Sequence, residues 1–217
     1  MSLINNWKIQ PSDVFALGQI VPVLVIENVE DAVPIAQALI DGGISVLEVT
    51  LRTENALEVI KEIATKLPEA MIGAGTVINP KTLQDSIDAG AKFAISPGLT
   101  KELLAASNES TIPLIPGIAS ISELMTGIDA GFDHFKFFPA EAVGGAKAIK
   151  SISGPFPNIR FCPTGGINED NMGNYLSLGN VRCIGGSWLV PEEAVKAKDW
   201  AQITEITKKA VAAAKAF

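Results

Sequence analysis

The sequence predicts an α/β protein, a (β/α)8 TIM barrel with an extra N-terminal helix, formed as a single domain over residues 1–217. Three observations lead there. Eight short, apolar, β-rich runs alternate with longer helical patterns along the whole chain, the order expected of parallel strands covered by helices. Hydrophobic residues make up 47% of the 217, enough for one sizeable core, and no linker or low-complexity tract divides them. Paired glycines follow the seventh and eighth runs, the positions at which barrels of this class commonly hold phosphate. An open doubly wound sheet is the structural alternative, because the chain is short for a closed barrel.

The elements follow in order. A leading helix at 11–18 is placed to cap the barrel bottom. The first strand, 20–26, precedes a helix at 28–41 whose apolar residues recur at helical intervals and which stops at Gly42-Gly43. A strand at 45–51 and a helix at 54–67 come next, then a strand at 71–77 and a helix at 80–89 closed by Gly90. The fourth strand, 93–97, ends in a proline and leads to a helix at 100–107. Strand 113–118 and helix 121–130 end at Gly131. Strand 134–139 with helix 145–152, strand 159–164 with helix 170–178, and strand 181–186 complete the set, and a helix at 200–217 closes the chain with Ile203, Ile206, Ala210 and Val211 on one face.

Composition narrows the function. A formal net charge of −7 disfavours nonspecific nucleic-acid binding, which needs clustered Lys and Arg, yet leaves room for a small anionic substrate held in a local pocket. The two cysteines, Cys162 and Cys183, sit far apart in apolar runs without zinc spacing, so reduced, buried thiols are expected. No signal-like segment and no apolar run of membrane-spanning length is visible, which predicts a soluble, cytoplasmic protein without a membrane partner. The one histidine, His134, cannot build a multi-histidine metal site or a Ser-His-Asp arrangement alone, so a structural role is expected and no metal or cofactor is assigned.

Lys136 is the most informative residue. It lies in the run His134-Phe135-Lys136-Phe137-Phe138-Pro139, where desolvating an unpaired ammonium would cost several kcal/mol. Burial favours loss of the proton, and a neutral amine can condense with a ketone, so the run reads as a Schiff-base site. The plainer alternative is a lysine whose stem packs on the rings while its head reaches solvent.

Other candidates cluster at strand ends, where barrels carry function. Alternation in the second strand puts Glu48, Thr50 and Arg52 on one face and Leu47, Val49 and Leu51 on the other, projecting a carboxylate and a guanidinium into the barrel mouth together. A simple Glu48–Arg52 ion pair is the alternative. Gly73-Ala74-Gly75-Thr76 offers close backbone approach and a hydroxyl, or else only tight packing. Ser96-Pro97-Gly98 ends the fourth strand, and Pro97 has no need to do more. Thr164-Gly165-Gly166 and Gly185-Gly186-Ser187 carry the paired glycines.

Six segments, 46–53, 73–77, 94–98, 135–141, 160–166 and 183–189, together resemble bacterial 2-keto-3-deoxy-6-phosphogluconate (KDPG) and 4-hydroxy-2-oxoglutarate (KHG) aldolases. The resemblance spans nearly the whole chain. It implies a metal-free class I aldolase of the Entner-Doudoroff pathway on a (β/α)8 barrel, usually a trimer, acting on a small phosphorylated 2-keto acid. On that pattern Lys136 matches the Schiff-base lysine and Glu48 the general acid/base. Arg52, Thr76 and the Pro97 turn match the part that holds the pyruvate carboxylate, with the Phe138 ring beside it. Thr164, Gly165, Gly166, Gly186 and Ser187 match the hydroxyl-chain and phosphate end, while His134 lies outside the signature. Rival readings are the galactonate-configured phosphate aldolase, a phosphosugar isomerase or epimerase, and a noncatalytic phosphate-sensing barrel.

Overall fold

The structure, a computed structural model, describes residues 6–217. Helix α1 (Pro11–Phe15) comes first, and then β1 (Ile20–Leu24), α2 (Val29–Asp41), β2 (Val46–Thr50), α3 (Ala56–Lys66), β3 (Met71–Gly75), α4 (Pro80–Asp88), β4 (Phe93–Ile95) and α5 (Lys101–Glu109). The second half runs β5 (Leu114–Ile115), β6 (Gly117–Ile118), α6 (Ile121–Asp129), β7 (His134–Phe137), a 3₁₀ turn (Glu141–Val143), α7 (Gly145–Ile152), β8 (Arg160–Pro163), α8 (Met172–Leu176), β9 (Ile184–Gly186), α9 (Glu192–Lys196) and α10 (Trp200–Ala214). Every expected strand and helix is present, most of them trimmed by a residue or more at the ends. Gly43, Gly90 and Gly131 take φ of 98°, 95° and 96°, the left-handed conformation in which a helix C-terminus favours glycine.

Parallel strands form a six-stranded sheet in the order β5-β4-β3-β2-β1-β9, curled into a half-barrel, and a three-stranded sheet β6-β7-β8. From β5 to β1 the order follows the chain without the reversal that defines a doubly wound sheet. The fifth run, expected as one strand, is split at Pro116, which has no N–H to give to a ladder. Its carbonyl still accepts from the Lys136 N–H at 3.0 Å. An isolated parallel bridge, Thr164↔Gly185, links the exits of β8 and β9.

Alternation along each strand separates two cores. Leu47, Val49, Ile72, Ala74, Phe135 and Phe137 pack in the cluster that contains the helix residues Ile35, Leu39, Ile60 and Ile63. Val21, Val46, Phe93, Ile95, Ile115, Cys162 and Cys183 form a second cluster, which α1 joins with Val14 and Phe15. Burying two faces explains why the strands read as continuous apolar runs. Because the strands are parallel, their C-terminal ends share one side of the sheets, and functional groups placed there converge.

His134 stands at the opposite end, at the start of β7. Its ring meets Phe15 edge-on at 5.2 Å, and Nδ1 lies 2.6 Å from Asp133 Oδ1. That hydrogen bond foremost holds the Asp133 carboxyl below its ordinary 3.8, against the opposing effect of burial. A depressed carboxyl gives stability that is present above its unfolded value and lost as pH falls through the folded one. Asp133→Asn should therefore be less stable near pH 6, by no more than about 1 kcal/mol because the side chain is 40% exposed and screened. Urea midpoints of the two proteins should converge as pH falls through the folded-state value of the Asp133 carboxyl. A gap that persists below it would contradict this origin.

Candidate active site

Phe135 and Phe137 face outward from β7 into the helix-side core, which turns Lys136 inward, in register with Gly117 of β6 and Cys162 of β8. Little of the side chain reaches solvent. Lys136 Nζ donates to Glu48 Oε1 at 3.1 Å, with side-chain exposures of 7% and 1%. This excludes the solvent-seeking lysine, and it replaces the Glu48–Arg52 pair with one spanning 88 residues of sequence. The Phe138 ring lies 5.4 Å from Nζ, close enough for a cation–π contact. Desolvating two charges is costly, and an apolar pair of similar volume is often as stable, so stability alone gives this pair little reason to exist.

Neighbouring strands make room for it. A Cβ on Gly75 would come within 2.8 Å of Glu48 Cγ and Cδ, so the glycine is the space in which the carboxylate sits. Thr76 follows with φ 60°, a conformation that strains a β-branched residue by roughly 1–3 kcal/mol and is characteristic of functional sites. Thr50 donates its hydroxyl to Leu24 O at 2.8 Å and accepts from Arg52 Nε at 3.0 Å. Arg52 is thus tethered at the exit of β2 with its guanidinium exposed, and not paired with Glu48. At the exit of β4, the Ser96 hydroxyl accepts from the Gly117 N–H at 3.3 Å, and a Cβ on Gly117 would collide with the Pro97 backbone. The Pro97 turn is therefore packed against the strand beside Lys136.

The two glycine pairs differ in origin. Gly165 and Gly166 take φ of 106° and 76°, which the turn itself demands. Gly185 and Gly186 instead leave space, the first for Thr164 and the second for the Trp188 ring. Thr164 is buried, and its Oγ1 has no hydrogen-bond partner among the described residues, whereas Ser187 is exposed. The Thr164↔Gly185 bridge sets the two loops side by side.

Cys183 offers no competing nucleophile. Burial foremost, and then the hydrogen bond with Cys162, pushes its thiol well above the ordinary value, so it stays protonated. Among the described residues, no group of three or more His, Cys, Asp or Glu side chains could hold a metal ion. Nor is any described helix long and apolar enough to cross a membrane.

A sequence model described as "Aldolase: KDPG and KHG aldolase" matches residues 12–206. The chain belongs to the KDPG and KHG aldolase family. It is 65% identical over 212 residues to the 2-dehydro-3-deoxy-phosphogluconate aldolase of Pseudoalteromonas atlantica, covering 98% of this chain and 99% of that one. Identity to the KHG/KDPG aldolase of Escherichia coli is 56% over 212 residues, covering 98% and 100%. The crystal structure of a KDPG aldolase from Legionella pneumophila, with pyruvate captured at low pH as a covalent carbinolamine intermediate, superimposes with a TM-score of 0.93 at 56% identity, covering 94% of this chain and 100% of that one.

Glu48 and Lys136 lie within β2 and β7, whereas Arg52, Thr76, Pro97, Phe138, Thr164, Gly165, Gly166, Gly186 and Ser187 lie at strand ends or just beyond them. The Glu48–Lys136 contact, the space left by Gly75 and the strain at Thr76 were not legible in the sequence. The glycines of β3 were the available signal for the second of these.

Proposed function

We propose that the protein is a class I aldolase, a lyase that cleaves 2-keto-3-deoxy-6-phosphogluconate into pyruvate and glyceraldehyde 3-phosphate, and also 4-hydroxy-2-oxoglutarate into pyruvate and glyoxylate. The observation that carries this is a lysine of β7 buried against a single carboxylate of β2 in a chain of this family.

Glu48 and Lys136 can pass one proton between them. With the proton on Glu48, the Lys136 lone pair attacks C2 of the keto acid, and Glu48 then protonates the departing carbinolamine hydroxyl, leaving an iminium and water. The Glu48 carboxylate next takes the C4-hydroxyl proton as the C3–C4 bond breaks, and the electron pair flows into the iminium to give an enamine and the aldehyde. Returning that proton to C3 and hydrolysing the imine release pyruvate. Arg52 and Thr76, with the Pro97 turn and Phe138 around them, are proposed to hold the substrate carboxylate, for which a planar guanidinium is suited. Thr164 is proposed to bind the hydroxyl chain, and Gly165, Gly166, Gly186 and Ser187 the phosphate.

We also propose that the two sheets close as a single (β/α)8 barrel domain, α1 covering its base. The Thr164↔Gly185 bridge and the contiguity of β5 and β6 around Pro116 support closure. Assembly as a cytoplasmic homotrimer rests on the family resemblance.

A coupled pyruvate assay tests the activity. Pyruvate should form from the phosphogluconate and from hydroxyoxoglutarate; release from the galactonate epimer alone would replace the reading, and release from none would end it. For the phosphate end, Ser187→Asp should raise KM for the phosphorylated substrate at least about tenfold, a like-charge contact near 4 Å being worth about 1–4 kcal/mol. KM for unphosphorylated hydroxyoxoglutarate should barely change. Equal damage to both would mean that the loop shapes the site without meeting phosphate.

A further inference from the structure

One side-chain contact joins the loop after β7 to the segment after β8, and no step of the chemistry above uses it. Tyr175 of α8 is 1% exposed, its ring fixed in the core, and its hydroxyl donates to Glu141 Oε1. Glu141 opens the 3₁₀ turn that follows the lysine strand, and α8 follows the Gly165-Gly166 turn. Burial foremost, then the bond to Glu141, raises the Tyr175 hydroxyl above its ordinary value, so it remains a donor.

The pair sits against both turns. Glu141 Cγ and Cβ stand 2.7 and 2.9 Å from where a Cβ on Gly166 would be, so the stem of the carboxylate lies directly over that glycine. Glu141 Oε1 and the Tyr175 hydroxyl each stand 3.3 Å from the corresponding position on Gly145, at the start of α7. Main-chain bonds run alongside: Ala140 N–H to Thr164 O at 2.8 Å and Glu141 N–H to Gly165 O at 3.1 Å. From the other side, the Asn171 amide donates to Gly166 O at 2.9 Å. Only two residues, Pro139 and Ala140, separate Phe138, beside the Lys136 amine, from Glu141.

We propose that Glu141 and Tyr175 are positioning residues, a clasp that fixes the Gly165-Gly166 turn relative to Lys136 and so sets the span from the imine carbon to the substrate phosphate. The clasp deepens the aldolase reading and rests on it. A substrate whose carboxylate and keto group sit at one end and whose phosphate sits at the other must satisfy both ends at once, whereas a short keto acid without phosphate engages only the lysine end.

The test measures kcat and KM for the phosphorylated keto acid and for hydroxyoxoglutarate in the unmodified protein and in Tyr175→Phe, Glu141→Ala, Glu141→Gln and the double variant Tyr175→Phe/Glu141→Ala. Tyr175→Phe keeps the ring and loses only the donor. Glu141→Ala alters an exposed carboxylate, so it tests the clasp even if the tyrosine variant folds poorly. Each should raise KM for the phosphorylated substrate about five- to tenfold, the scale of one hydrogen bond, with kcat within about twofold. Hydroxyoxoglutarate kinetics should be unchanged, the double variant no worse than either single one, and Glu141→Gln, whose amide oxygen still accepts from Tyr175, within about twofold of the unmodified protein. Unchanged KM in both single variants, or equal losses on both substrates, would overturn the clasp while leaving the aldolase reading intact. Absence of a pyruvate–borohydride adduct in the unmodified protein would overturn both.

Discussion

Lys136→Met should lower kcat/KM for cleavage by at least about 10⁵-fold, because without an amine the C3–C4 bond has no electron sink and only positioning remains. The same change removes the partner of Glu48, a side chain 1% exposed, and leaving such a group unpaired costs roughly 3–5 kcal/mol. Loss of activity must therefore be separated from loss of fold. The double variant Lys136→Met/Glu48→Gln removes the orphaned charge and should regain most of that stability in urea denaturation while staying inactive. Either variant retaining more than about one per cent of turnover would mean that another group forms the intermediate, since a nucleophile's removal costs far more than hundredfold.

Glu48→Gln should slow cleavage by about 10²–10⁴-fold, the usual contribution of a positioned acid or base. The amide keeps the size of the side chain and an oxygen that can accept from Lys136 Nζ, now at 3.1 Å from the carboxylate, so the fold should survive. Proton exchange is what it loses. Affinity for pyruvate should fall less than turnover, since Arg52 and Thr76 are proposed to hold the carboxylate. Single-turnover cleavage and exchange of the pyruvate methyl protons in deuterated water read the two roles of Glu48 separately. Near-normal rates in both would reduce Glu48 to the ion-pair partner of Lys136.

The alternation of strands and helices was legible because burial of both strand faces leaves continuous apolar runs, while helices keep amphipathic spacing and end in left-handed glycines such as Gly43 and Gly131. The break at Pro116 was written in the residue, but the surrounding Leu114, Ile115 and Ile118 read as one run. Helix α9, Glu192–Lys196, is five residues long and so too short to display a period, although Pro191 and two acidic residues mark its start. At the site, period two turned Glu48 inward without revealing what stood across from it; Arg52, close in sequence, was the obvious partner, and Lys136, 88 residues away, is the actual one. Tyr175 was invisible for the same reason. Its hydroxyl partner lies 34 residues off, and within α8 the residue looks like any other core aromatic.

Lys136 is proposed to supply the imine nitrogen. Incubating the protein with pyruvate and sodium borohydride and mapping the modified peptide by mass spectrometry tests it directly. Inactivation should follow, with one pyruvate-derived secondary amine per chain, on Lys136; a label on another lysine, or continued activity with no label, would rule Lys136 out.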